Sequence, residues 1–152
     1  MPDHADVPFL PPVIPLIGLA LGGLLHAALA LPIGPAALVQ PIGGALLVAS
    51  VALVGAARLS LHRAQTTFDV RGATTHLVRT GVYAWSRNPV YLSMILLFWA
   101  LALLLNTASL ALVAVPTASA LCLLVIRKEE RYLEDRFGPA YLAYAGSVRR
   151  WL

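Results

Sequence analysis

"VYLSMILLFWALALLLNTASLALVAVPTASALCLLVI", residues 90–126, contains no charged side chain. A helix needs about 20 apolar residues to cross a hydrocarbon core of ~30 Å, so this stretch is too long for one crossing. Its polar interruption, "NTAS" at 106–109, is typical of a break between helices. The stretch therefore predicts a hairpin of two membrane-spanning helices, at approximately 90–105 and 110–126.

Two further apolar runs precede this hairpin. They are "VIPLIGLALGGLLHAALAL" at 13–31 and "AALVQPIGGALLVASVALVGAA" at 36–57, and each is long enough for one crossing. With 59% hydrophobic and 12% charged residues, the composition excludes an ordinary soluble domain. We expect one all-α integral membrane domain over 1–152, with four transmembrane helices, a cytoplasmic connector and short C-terminal helices.

The distribution of positive charge predicts how these four helices are oriented. All eleven Lys and Arg residues lie either within 58–87 or from Arg127 onward, and the two short connections between helices have none. Four crossings place both basic segments on one side of the membrane, which the positive-inside rule makes the cytoplasmic side. The net charge of +4 is therefore interpreted as membrane topology and not as a sign of a nucleic-acid partner.

Polar chemistry is concentrated on that same side, in two pieces of sequence. "THLVRTGVYAWSRNPVY" at 75–91 enters the third apolar helix, and "RKEERYLEDRFGPAYLAY" at 127–144 leaves the fourth. Because a helical hairpin brings its two ends together, we expect 87–91 and 127–130 to be neighbours. A pocket is predicted between them.

These two pieces carry a resemblance. "HLVRTGVYAWSRNPVY", followed after the hairpin by "KEERYLEDRFGPAYLAY", resembles the isoprenylcysteine carboxyl methyltransferase and phospholipid N-methyltransferase superfamily of integral membrane enzymes. The ordered set covers roughly the C-terminal half of the chain. The resemblance implies S-adenosylmethionine as cofactor, a lipophilic, lipid or prenylated acceptor, and a bacterial inner-membrane location with the site facing the cytoplasm.

The resemblance also implies which residues contact the cofactor. Glu129 matches the glutamate that holds the cofactor's ammonium, with Glu130 as its neighbour in register. Asn88 stands where many members have histidine, which weakens any proton-transfer role at that position. The cofactor-binding set that the resemblance implies is Thr75, His76, Leu77, Val78, Tyr83, Asn88, Pro89, Val90, Tyr91, Glu129 and Glu130.

The residue types in this set suit the cofactor independently of the resemblance. S-adenosylmethionine carries an ammonium, a carboxylate and an adenine, so its pocket needs an acid, hydrogen-bond donors and an aromatic surface such as Tyr83 with Trp85. No strong base stands out, which favours an acceptor that is already nucleophilic, such as a carboxylate. Arg87 and Arg127 are the catalytic candidates, because a guanidinium can hold an anionic acceptor group.

Two alternatives remain open: methylation of a phospholipid amine, and a small membrane partner protein without catalysis. Other residues have structural interpretations. Arg149 and Arg150, with Arg58 and Arg63, are expected to be interfacial anchors, and Trp151 part of an interfacial aromatic belt. His26 lies alone in the first apolar run, so no metal site is predicted. Within "FGPAY", Gly138 should end one helix and Pro139 begin the next.

Overall fold

A computed structural model describes residues 11–65 and 76–152, and this part of the chain contains helices and no strand. A 3₁₀ turn, Gly81–Ala84, precedes the third helix, and a π-type turn, Cys122–Ile126, joins the fourth to the fifth. The helices are α1 (Val13–Leu29), α2 (Ala36–Arg63), α3 (Pro89–Leu104), α4 (Ala108–Leu121), α5 (Arg127–Phe137) and α6 (Pro139–Ser147). The all-α prediction is confirmed for the described residues.

Two helices are long and apolar enough to cross a membrane, judged by length and composition. They are Ala36–Arg63 and the continuous helix Ala108–Phe137, whose apolar part ends where α5 begins; α1 and α3 are shorter apolar helices. Large apolar side chains such as Leu24, Leu38 and Val48 are more than 60% exposed. An apolar outer surface of this extent is typical of membrane contact. The number of crossings, four, stays a prediction.

The helices pack in the order α2, α3, α4, α1, so α1 and α2 are neighbours in sequence but not in space. Small residues allow the closest approaches: Gly43 of α2 lies against the backbone of α3 at Leu104, and Gly22 of α1 lies against Leu110 of α4. Close backbone approach at glycine is the usual way in which helices associate where no aqueous hydrophobic effect assists them.

Asn106 ties the two short helix connections together at one end of the bundle. Its side-chain oxygen accepts hydrogen bonds from the N–H groups of Ile33 and Gly34 at 3.0 and 3.2 Å, and its amide donates to the Gly34 carbonyl at 2.9 Å. Its φ of +49° is tolerated because asparagine enters the left-handed region more easily than most residues. The break predicted at "NTAS" is confirmed.

The opposite end of the bundle carries the polar elements. α2 extends past the predicted boundary at 57 as far as Arg63, and so carries Arg58 on its last turns. α5 ends at Phe137, Gly138 has a φ of +51°, and α6 starts with Pro139 in its first turn, as the sequence predicts. The 3₁₀ turn, the start of α3, and α5 with α6 thus meet at one end.

Candidate functional site

The site begins at the first turn of α3. Pro89 occupies the first helical position, where its missing N–H costs nothing, and Asn88 before it has a φ of −130°, outside helical geometry. The N–H groups of Val90 and Tyr91 belong to the first turn, which has no intrahelical acceptors for them. This helix start therefore places first-turn N–H groups at the cavity that Val90 and Tyr91 line.

A cavity of about 790 Å³ lies between this helix start, the later turns of α2, and α5 with α6. The predicted neighbourhood of 87–91 and 127–130 is realised here through α3 and α5. Ten of the sequence-predicted site residues line the cavity: Leu77, Val78, Tyr83, Arg87, Asn88, Pro89, Val90, Tyr91, Glu129 and Glu130.

Three predicted residues are not part of this wall, and a fourth, Thr75, lies outside the described residues. His76 is exposed and does not line the cavity, and Trp85 is 80% exposed, so the expected Tyr83–Trp85 aromatic surface is not formed. Arg127 is exposed as well: successive helical residues turn by about 100°, which places Arg127 and Glu129 on nearly opposite sides of α5. Arg127 therefore does not line the cavity and is not placed to hold an acceptor there.

Glu129 provides the acidic group of the cavity. The hydroxyl of Tyr91 neighbours its carboxylate. Burial raises the pKa of Glu129 to about 7; the Tyr91 hydroxyl opposes this shift and the neighbouring Glu130 charge adds to it. Burial and the Glu129 charge together raise the pKa of Tyr83, so its phenol stays protonated. A cationic ligand would stabilise the ionised form of this buried carboxyl group.

Beside Glu129 lies an ionic cluster formed by Arg87, Glu130 and Arg150. Arg150 binds the Glu130 carboxylate through Nε at 3.0 and 3.2 Å and through Nη2 at 2.7 Å. Arg87 reaches the same carboxylate only at 3.5 Å. The prediction that Arg150 is only an interfacial anchor is wrong, because its guanidinium is engaged by an acid of the cavity wall.

The C-terminal segment that carries Arg150 is bonded to the start of α3. The N–H of Arg87 donates to the Arg149 carbonyl at 3.0 Å, and the Asn88 side-chain amide donates to the Arg150 carbonyl at 3.1 Å. Trp151 packs against a buried cluster that includes Tyr91. The interfacial belt expected for Trp151 stays a prediction, and the structure adds that one side of its half-buried ring packs against the bundle.

α6 contributes two tyrosines that the sequence did not single out. The Tyr144 hydroxyl donates a 2.7 Å hydrogen bond to the Tyr83 carbonyl, fixing the 3₁₀ turn. Tyr141 meets the Tyr144 ring edge-on with centroids 6.3 Å apart, and its hydroxyl accepts from Arg87 Nη1 at 3.5 Å. Both line the cavity, as does Arg58. The repeated tyrosine spacing after Gly138 was the available signal.

No group of three or more His, Cys, Asp or Glu side chains suited to a metal ion occurs within 11–65 and 76–152. Of the two neighbouring acids on α5, Glu130 is bound by Arg150.

A model of the phospholipid methyltransferase family matches residues 39–140. The chain belongs to that family. The match runs from the first turn of α2 to the start of α6 and includes the motif at 75–91 and the second motif as far as residue 140, so the superfamily recognised from the sequence is confirmed. Family membership and the two long apolar helices indicate a membrane methyltransferase. No curated protein and no solved structure matches the chain.

Proposed function

We propose that this phospholipid methyltransferase family member transfers a methyl group from S-adenosylmethionine to a lipophilic acceptor at the cytoplasmic membrane face. The observation that carries the proposal is the position of Glu129, beside the Tyr91 hydroxyl, in the wall of one cavity with Arg87. The cavity thereby offers an acidic side chain, a cationic side chain and an apolar surface to a cofactor and an acceptor bound side by side.

The cavity residues fit the proposed cofactor in size and charge. A volume of about 790 Å³ lies within the range of roughly 300–1,000 Å³ typical of cofactor and small-molecule sites. Glu129 would hold the ammonium, and the first-turn N–H groups of Val90 and Tyr91 would face the carboxylate, since a helix N-terminus favours anions. When bound, S-adenosylmethionine would supply an electrophilic methyl group on a sulfonium.

The acceptor is proposed to be an amphiphile with an anionic head, resembling an isoprenylcysteine carboxylate. Val51 and Val54 of α2 and Met94 and Leu97 of α3 line the cavity and form an apolar side that suits a hydrocarbon chain. Arg87 would hold the acceptor's carboxylate for in-line attack. A carboxylate oxygen would then bond to the methyl carbon as the carbon–sulfur bond breaks. Positioning can supply much of the acceleration, and no general base is required.

Methylation of a phospholipid amine is the second candidate, and the description of the matching family model favours it. That reaction needs an unprotonated amine, so a base must first accept a proton. Glu129, whose pKa is about 7, could serve as that base only if it did not also hold the cofactor's ammonium. The two candidates therefore assign different roles to the same carboxylate.

The proposed topology has four crossings, formed by α1, α2, α3 and the apolar part of α4, in a bacterial inner membrane. The basic segments near 58–87 and after Arg127 would then lie in the cytoplasm with the cavity. The side-by-side position of the two short connections, joined by Asn106, supports an antiparallel arrangement in which both lie on the other side.

The experiment that tests this function offers purified protein two acceptors with methyl-labelled S-adenosylmethionine. N-acetyl-S-farnesylcysteine provides a carboxylate on a prenyl chain, and phosphatidylethanolamine provides an amine. Labelled methyl ester from the first acceptor supports the leading proposal, and labelled methylamine from the second supports the alternative. If neither acceptor is labelled and S-adenosylhomocysteine is not bound, the proposal of a methyltransferase site is wrong and the non-catalytic partner protein remains.

A further inference from the structure

The Glu130 carboxylate is shared unequally between two arginines. Arg150 holds both of its oxygens, with a shortest contact of 2.7 Å, whereas Arg87 has a single contact at 3.5 Å. The side chains of Arg87 and Glu130 are each only 14% exposed, while that of Arg150 is 35% exposed. The better-buried arginine therefore has the poorer share of the carboxylate.

The guanidinium of Arg87 consequently has few hydrogen-bond acceptors. Apart from Glu130, its guanidinium reaches the Tyr141 hydroxyl at 3.5 Å, and its Nε is buried without a hydrogen-bond partner among the described residues. A guanidinium has five N–H donors, and leaving them unsatisfied in a buried position is costly. Arg87 also lines the cavity, so an anionic group there could supply the missing acceptors.

We propose that Arg150 is a positioning residue that engages Glu130 and so leaves Arg87 available for a carboxylate in the cavity. The inference rests on the proposed function, in which that carboxylate comes from the acceptor or from the amino-acid end of the cofactor. Without Arg150, Glu130 would be free to turn both oxygens to Arg87. A bidentate pair of that kind would compete with the ligand for the same guanidinium.

The C-terminal segment holds Arg150 in a position from which its guanidinium can bind Glu130. The Arg150 carbonyl accepts from the Asn88 amide at 3.1 Å and from the Ser86 hydroxyl at 3.4 Å, and the Arg149 carbonyl accepts from the Arg87 N–H at 3.0 Å. The backbone that carries Arg150 is thus fixed to the residues on either side of Arg87. Glu130 therefore lies between two guanidinium groups whose backbone segments are joined by hydrogen bonds.

A stability cycle in detergent tests the division of Glu130 without any ligand. Arg87→Gln, Glu130→Gln and the double variant give the coupling between these two side chains, first with Arg150 and then with Arg150→Ala. We expect little coupling in melting temperature with Arg150 present and a coupling of about 2 °C without it. Arg149→Ala, which removes a neighbouring exposed side chain, should leave the coupling small. Equal coupling with and without Arg150 would overturn the inference.

Ligand binding tests the consequence and identifies the source of the carboxylate. Arg150→Ala should lower affinity about tenfold for S-adenosylhomocysteine if the carboxylate is the cofactor's, or for N-acetyl-S-farnesylcysteine if it is the acceptor's. In a Glu130→Gln background, Arg150→Ala should change neither affinity, whereas a loss of fold in the tail would lower both. Unchanged affinities in the single variant, or an equal loss in both backgrounds, would contradict the inference. If the parent binds neither ligand, the proposed function fails while the stability cycle still decides how Glu130 is shared.

Discussion

The hydroxyl of Tyr91, in the first turn of α3, neighbours the carboxylate of Glu129, in the first turn of α5, in the wall of one cavity. The two residues are 38 positions apart and belong to the two ends of the apolar hairpin. Tyr91 is 6% exposed and packs in the same buried cluster as Leu121 and Ile126. Tyr91 thus contacts both the buried core of the hairpin and the acidic side chain of the cavity.

Tyr91→Phe should keep the fold and lower the affinity for S-adenosylhomocysteine. The ring that packs in the buried cluster is retained, while the hydroxyl beside Glu129 is lost. If that hydroxyl orients Glu129 for the ligand, its loss should cost about 1 kcal/mol, or roughly fivefold in affinity. Calorimetry and melting temperature in the same detergent measure the two effects. A variant with unchanged affinity would show that Tyr91 does not orient Glu129 for the ligand.

Binding of S-adenosylhomocysteine should release protons near neutral pH. With its pKa raised to about 7, Glu129 is about half protonated at pH 7 in the free protein, and the ligand's ammonium stabilises its ionised form. Affinity should therefore fall as the pH is lowered through 7. Calorimetry in buffers of different ionisation enthalpy should detect release of about half a proton at pH 7 and almost none at pH 8.5.

Glu129→Gln is the control for that titration, because its amide has no proton to release near neutral pH. The variant should bind more weakly and show no proton release at pH 7. Proton uptake by the parent, or the same release from the variant, would mean that another group accounts for the pH dependence.

Gly43→Ala should destabilise the bundle, whereas Gly44→Ala should not. A Cβ at Gly43 would lie 2.7 Å from the Leu104 backbone nitrogen and 3.0 Å from the Ala100 carbonyl oxygen, so α2 and α3 would have to move apart. A Cβ at Gly44 would meet nothing within 4 Å. We expect a loss of about 2 kcal/mol for the first variant and no loss for the second. Melting temperatures that fall equally for both would contradict the α2–α3 packing.

Single cysteines should report opposite sides of the membrane at the two ends of the bundle. In a Cys122→Ser background, Gly34→Cys should react with an impermeant thiol reagent added to intact cells, since it lies in a short connection. Gly146→Cys, on α6, should react only after the cells are opened. Labelling of Gly146→Cys from outside would place the cavity on the wrong side and refute the four-crossing topology.

The apolar runs predicted the helices well because the length of a run and the polar break at "NTAS" depend only on residues that are neighbours in sequence. The site was predicted in part for a related reason: a hairpin must bring the residues before Pro89 close to those after Ile126. The position of Arg127 required the rotational phase of α5, which its charge-rich sequence does not reveal. The contacts of Arg150 and Trp151 were not predicted, because nothing in "SVRRWL" shows that the chain returns to α3 after α6.

The most direct test of the central claim compares S-adenosylhomocysteine binding by the parent, Glu129→Gln and Glu134→Gln. Both variants remove one carboxylate from α5, but Glu129 lines the cavity whereas Glu134 is exposed. A charge-assisted contact is worth about 1.5–3 kcal/mol, so Glu129→Gln should bind about ten- to a hundredfold more weakly, and Glu134→Gln should bind like the parent. No binding by the parent, or equal affinities for the two variants, would contradict a cofactor site at Glu129.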